Sequence, residues 1–217
     1  MKTEPIPSPY THNLVNALYL MKCSLETGAL ERAYGQADQA LWIAKRLGAL
    51  SMCGNGNNPP KARGKASLRQ VWQSTLASID RQKGGLEKIE VIDRIPGNFP
   101  PVQCKEKDLG EIFFHLATNA AEAMGEGGKL IIRSQICFST KEEAFAVIQI
   151  ADTGPGIPQS RLNNLFLPFY STKSCKNGNG LGLYLTRQLV SRNGGRITVS
   201  SFPAAGTTLT LEFPLAK

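Results

Sequence analysis

Between Ala151 and Leu183 the chain reads ADTGPGIPQSRLNNLFLPFYSTKSCKNGNGLGL, and few folds can accommodate that order of residues. Asp152 follows an apolar run rich in strand formers, Ala144 to Ala151, and opens the glycine turn Asp152-Thr153-Gly154-Pro155-Gly156. A carboxylate so placed is fixed at a pocket wall, where it can accept from an exocyclic amine such as that of adenine, while Gly154 and Gly156 let the backbone approach the base closely. The second cluster, Gly178-Asn179-Gly180-Leu181-Gly182-Leu183, leads straight into a helical stretch. Free amides and the positive end of a helix attract phosphates there. The segment between the clusters is long enough to close over a ligand. In it, Leu165, Phe166, Leu167, Pro168, Phe169 and Tyr170 read as core contacts that anchor a lid, and Lys173 lies where phosphate charge needs neutralising. Two walls and a lid describe a nucleotide site. Each piece alone also has a plain reading: an acidic turn, a flexible loop, a solvated lysine.

The remainder of the second half supplies a scaffold. Ser67 caps a helical stretch to about Gln82, and the β-rich segment Lys88 to Ile95 follows Gly84-Gly85. Asp108 to Met124 carries Leu109, Ile112, Phe113, Leu116, Ala117 and Ala120 on one helical face, beside a polar stripe of His115, Asn119 and Glu122. Asn119 is a poor helix former. Its amide oxygen suits a hard cation, and a hydrogen bond to a neighbouring loop suits it equally. Lys129 to Phe138 alternates Leu130, Ile132, Ser134, Ile136 and Phe138 on one side and pairs with Ala144 to Ala151 as a hairpin. Leu183 to Arg192 is a helix closed by Asn193-Gly194-Gly195. Arg196 to Ser201 and Thr207 to Phe213 are the last strands, with Leu209, Leu211 and Phe213 inward. Helices on one face of a mixed sheet make an α+β, two-layer sandwich.

The first half is organised differently. After a flexible leader, residues 1–9, Leu14, Leu18, Met21 and Leu25 mark one helix stripe, and Leu30, Tyr34, Ala37, Leu41, Ala44 and Gly48 mark another beyond Gly28. Residues 10–54 thus read as a helical hairpin. Two narrow stripes cannot enclose a core, so the hairpin is expected to form a four-helix bundle by homodimerisation. Residues 55–65, with a double proline, read as a linker to a domain at 66–217.

Composition narrows the partners. The five cysteines are scattered, without a CxxC pair, and only two histidines accompany them, so reduced structural thiols are expected rather than a metal cluster. The formal charge of +8 is spread along the chain and only Lys61 to Arg69 approaches a cluster, so no nucleic-acid partner is expected. No run approaches the roughly 18 apolar residues of a membrane span, and residues 1–9 lack a secretory core, so a cytoplasmic protein is expected.

Taken together, these segments resemble the four boxes of the GHKL ATPase superfamily in the correct order, and in particular the Bergerat-type ATP-binding domain of two-component sensor histidine kinases. His115 to Ala123 is similar to the N box, Asp152 to Gly156 to the G1 box, Phe166 to Lys173 to the F box and Gly178 to Leu183 to the G2 box; Gly206-Thr207-Thr208 also matches. The resemblance implies ATP and Mg2+ as cofactors. It implies that Asn119 holds the magnesium, Asp152 recognises adenine, Gly154 and Gly156 line the base, Gly178, Gly180, Leu181, Gly182 and Lys173 meet the phosphates, and Thr207 joins the adenine network through its hydroxyl. His12-Asn13-Leu14-Val15-Asn16 resembles the H box. By that match His12 is the phosphoacceptor, Asn16 orients water when the partner's phosphoryl group is hydrolysed, and a response regulator receiver domain takes the phosphoryl group on an aspartate.

Two residues depart from the family pattern. His115 stands where histidine kinases usually have a second Asn and gyrase-like ATPases a Glu, and Asn13 stands where the H box has an acid. These departures leave open an alternative, a non-enzymatic histidine phosphotransfer or scaffold protein with a degenerate kinase domain.

Overall fold

A computed structural model describes residues 64–83, 86–138, 144–168, 170 and 180–216. The leader, the hairpin at 10–54 with its dimeric bundle, and the site residues His12, Asn16, Lys173 and Gly178 lie outside the described residues, as does most of the linker.

The described elements are α1 (Leu68–Lys83), β1 (Ile89–Arg94), α2 (Glu106–Met124), β2 (Gly128–Phe138), β3 (Ala144–Asp152), the single turn α3 (Gln159–Leu162), α4 (Gly182–Arg192), β4 (Arg196–Ser201) and β5 (Thr207–Pro214). The strands form one sheet in the order β1-β2-β3-β5-β4. β1 runs parallel to β2 and every other pair is antiparallel, so the sheet is mixed as the sequence predicts. Period-two alternation builds its inner face. Leu130 and Ile132 of β2, Ile148 and Ile150 of β3, and Leu209, Leu211 and Phe213 of β5 are buried there.

Above that face lies α2, whose Leu109, Ile112, Phe113, Leu116, Ala117 and Ala120 are the residues its periodicity marks as a core stripe, all buried. α1 packs beside it through Trp72, which meets Phe113 edge-on with ring centroids 5.4 Å apart. α4 lies on its other flank. Its end is legible in the sequence: Gly194, at φ +72°, reverses the chain, and the amides of Gly194 and Gly195 bond the carbonyls of Ser191 and Val190, a Schellman closure. Arg192 and Asn193 then hold α4 against the start of α2. Asp108, buried, accepts from Arg192 Nη2 at 2.6 Å and from Asn193 Nδ2 at 2.9 Å. Since Asp108 opens α2 and Arg192 ends α4, the two helices run antiparallel. Cys104, just before α2, is fully buried, and burial with the nearby Asp108 charge pushes its thiol up to about 12, so it is an inert structural thiol.

The β2–β3 hairpin departs from the expected inward face at one end. Ile136 and Phe138 share the side of Leu130 and Ile132, yet they are 41% and 75% exposed. Among the described residues, none covers these two side chains.

Candidate functional site

The site lies where the ends of β3, β4 and β5 meet the second half of α2 and the start of α4. Asp152 is the last residue of β3 and stands in register with Thr207, the first of β5. Its Oδ1 accepts two backbone amides, Gly154 at 2.9 Å and Thr207 at 3.2 Å. Both bonds favour the carboxylate, but burial outweighs them and raises the Asp152 pKa above the ordinary carboxylate value. One oxygen is therefore committed to shaping the loop, which leaves Oδ2 as the carboxylate atom with which to meet a ligand.

The glycines of the first cluster hold the loop where no side chain fits. Gly156 sits at φ +72°, and a Cβ there would stand 1.9 Å from the carbonyl oxygen of Phe202. Gly206, at φ +79°, lies equally tight, with its Cβ position 2.0 Å from the carbonyl oxygen of Asp152. At Gly154 the added carbon would meet Asp152 Oδ1 at 2.8 Å, and α2 stands just behind, with Ala123 Cβ at 3.6 Å. The turn thus packs backbone against backbone on one side and α2 on the other.

A residue with no motif around it secures this packing. Ser201, 4% exposed at the end of β4, donates to the Gly206 carbonyl at 2.7 Å and accepts from the Ile157 amide at 2.8 Å. Its oxygen also lies 3.0 Å from Thr207 Oγ1. The expected hydroxyl of Thr207 therefore has a protein partner, and Ser201 links it to both glycine turns. The Ala204 amide adds a bond to the Pro155 carbonyl at 2.7 Å. Sequence reasoning misses Ser201, because a serine two residues after an inward valine is explained by strand alternation alone.

At the other side of the site, α4 opens with Gly182, and Gly180 before it adopts φ +65°. A Cβ on Gly182 would lie 3.5 Å from Asn119 Nδ2 and 3.6 Å from His115 Nδ1. The start of α4 therefore faces two of the three members of the polar stripe on α2, His115 and Asn119, while Glu122 is exposed. Leu181 is buried and anchors the turn. Among the described lid residues, Leu165 and Phe166 are half-buried and the Arg187 guanidinium lies 5.9 Å over the Phe166 ring. Leu167 is half exposed, so only part of the aromatic segment anchors the lid as expected.

The arrangement suits an adenine nucleotide: a desolvated carboxylate with one free oxygen at one end, helix amides at the other, and glycine-lined backbone between. A divalent ion also fits it. Among the described residues no group of three or more His, Cys, Asp or Glu could cage a metal. Magnesium commonly needs no such cage, taking one or two protein oxygens plus substrate phosphates, and the Asn119 amide stands beside the phosphate end.

Comparison with known proteins agrees with this geometry. Residues 104–217 match the model of the histidine kinase-, DNA gyrase B-, and HSP90-like ATPase family. The chain is similar to sporulation kinase E of Bacillus subtilis (strain 168), 26% identical over 150 residues, covering 69% of this chain and 19% of that protein. It is also similar to the signal transduction histidine-protein kinase AtoS of Escherichia coli (strain K12), 30% identical over 152 residues, covering 70% and 24%. Among solved structures, the mycobacterial sensor histidine kinase MprB superposes with a TM-score of 0.57 at 25% identity, covering 70% of this chain and 96% of that one. The chain thus spans about a fifth to a quarter of the length of these two curated relatives.

Proposed function

Because the chain belongs to the histidine kinase-, DNA gyrase B-, and HSP90-like ATPase family, we propose that it is the core of a two-component sensor histidine kinase, using ATP to phosphorylate itself on His12. The observation that carries the reading is that one domain brings Asp152, the two glycine turns, Asn119 and the start of α4 to a single site. Asp152 Oδ2 accepts from the adenine amine. Gly154 and Gly156 admit the base against backbone, the amides around Gly180, Leu181 and Gly182 receive the phosphates, and by the family resemblance Gly178 and Lys173 meet the phosphates too. Asn119 holds magnesium, which supplies charge neutralisation to the phosphates when bound.

In the reaction, a ring nitrogen of His12 bonds to the γ-phosphorus as the bond to the β,γ-bridging oxygen breaks and ADP leaves. The phosphoryl group then passes to an aspartate of a response regulator receiver domain, and Asn16 orients water for hydrolysis of the partner's phosphoryl group. A cytoplasmic homodimer, joined through the hairpin at 10–54, is the assembly that fits. Among the described residues no helix is long and apolar enough to cross a membrane.

The chain incubated with magnesium and γ-labelled ATP is expected to take up acid-labile, alkali-stable label, and His12→Gln is expected to abolish it. Absence of label in the unmodified chain at any time defeats the kinase reading. Nucleotide-independent labelling of His12 by a phosphorylated regulator would instead favour a phosphotransfer protein.

A further inference from the structure

We propose that the free edge of β2, from Ser134 to Phe138, is a docking site that takes an extended segment of a partner protein as an added strand, one in which apolar residues alternate with acidic ones. The lane beside this edge is open because β1 is short. The Ile95 amide bonds Asp93 Oδ1 at 2.8 Å, which turns the chain out of the strand, and Pro96 follows with no amide to give. The last pair in register is therefore Arg94 with Arg133, while β2 runs on to Phe138. Its pairing with β3 continues without a bulge as far as Phe138 opposite Ala144.

That stretch offers both backbone and side chains. The Lys129 carbonyl accepts from the Thr153 amide across the β2–β3 ladder, so the odd-numbered residues of β2 face β3 and the even-numbered ones face the lane of β1. Beyond the end of β1, Ile136 and Phe138 thus each turn an amide and a carbonyl to the edge, and their side chains are exposed on the sheet face that carries the helices. Natural sheets blunt a free edge with Lys, Pro or a bulge. Ser134-Gln135-Ile136-Cys137-Phe138 has none of these and carries no charge.

The charge of the partner follows from the opposite face. Asp93 pairs with Arg69 of α1 on the helical side, so Arg94 and its register partner Arg133 project from the other. Both are exposed, they stand on strands about 4.8 Å apart, and among the described residues neither has an acidic partner. Like charges directly opposite one another are unfavourable, so an anion beside them is stabilising. An added strand lies in line with Arg94, and its side chain opposite Gln135 falls one step along the same face from both arginines. Asp or Glu suits that place. A second copy of this chain, pairing by the same edge, would bring the same arginines and no acid to meet them.

The test is fluorescence anisotropy of the full chain with a labelled six-residue peptide of alternating Val and Glu. Binding is expected, and a peptide of alternating Val and Lys is expected to bind at least about fivefold more weakly. Arg133→Glu is expected to weaken the Val/Glu peptide about two- to fivefold at low salt and to narrow the preference between the two peptides. Ile136→Pro removes an amide that faces the open lane, a change an edge strand tolerates, and is expected to weaken the Val/Glu peptide about tenfold. Phe138→Ser leaves the ladder to β3 in place and is expected to weaken it about three- to tenfold. No binding by the unmodified chain, equal binding of the two peptides, or binding that survives both Ile136→Pro and Phe138→Ser overturns the proposal. A particle mass that falls in Ile136→Pro without peptide assigns the edge to a second copy of the chain and overturns it as well.

Discussion

Asp152→Asn is expected to weaken ATP binding by about 10- to 100-fold, the range for losing a hydrogen bond to a charged acceptor, without lowering the melting temperature. The two expectations separate because the carboxylate has two tasks. Oδ1 accepts the amides of Gly154 and Thr207, and the amide oxygen of an asparagine can accept both. Oδ2 becomes an NH2 group, a donor facing the donor of the adenine amine.

The stability side follows from the direction of the Asp152 shift. Burial raises its folded-state pKa, so between the unfolded and folded values the native state binds more protons. This group therefore favours folding at low pH, and that contribution is lost as pH rises through the folded value. At neutral pH the substitution removes a desolvated charge and is expected to leave the melting temperature level or slightly higher. ATP affinity has the opposite trend, falling on acidification as the carboxylate that receives the amine is protonated. Equal ATP affinity in the variant, with the fold intact, contradicts the assignment of Asp152 to the base.

Gly156→Ala is expected to be costly for a different reason. The left-handed conformation at φ +72° alone costs an L-residue about 1–2 kcal/mol. The added carbon also falls 1.9 Å from the Phe202 carbonyl oxygen, a backbone atom that moves only with the β4–β5 turn. That turn carries the Gly206 carbonyl bonded to Ser201, so relief of the clash breaks the Ser201 clamp. A total loss of about 3 kcal/mol or more is expected, read as a melting temperature lower by about 6–12 °C at the 2–4 °C per kcal/mol of a chain this size. ATP binding is expected to fall with it, since in the proposed reading the same loop lines the base. A variant with unchanged melting temperature contradicts the close backbone packing on which the site depends.

Much of this fold is legible in the sequence. The apolar stripe of α2 and the Asn193-Gly194-Gly195 stop are local patterns whose physics operates within a few residues, and they fold as read. The mixed sheet follows from strands separated by helices, although its order does not, because the insertion of β5 between β3 and β4 is decided by long-range pairing. The glycine turns signal a close approach without naming what approaches: Phe202 and Asp152 supply the opposing carbonyls from across the fold. The link from Asp108 to Arg192 and Asn193 spans more than eighty residues, and neither end is unusual where it stands. Ser201 is hidden for the same reason. Its three partners converge only after β4 and β5 pair. Ile136 and Phe138 at the end of β2 show the reverse failing, where correct alternation continues although the residues are exposed.

The proposed reading has Asp152 recognise adenine, and the most direct measurement of that role is a competition between two bases that differ where Asp152 would read. Adenine presents an amine where guanine presents a carbonyl oxygen, which the carboxylate repels. Titrating the full chain with ATP and with GTP, both with magnesium, is expected to show ATP bound at least about tenfold more tightly, with that preference collapsing in Asp152→Asn. Equal affinity for ATP and GTP, or a preference that survives the substitution, contradicts the account.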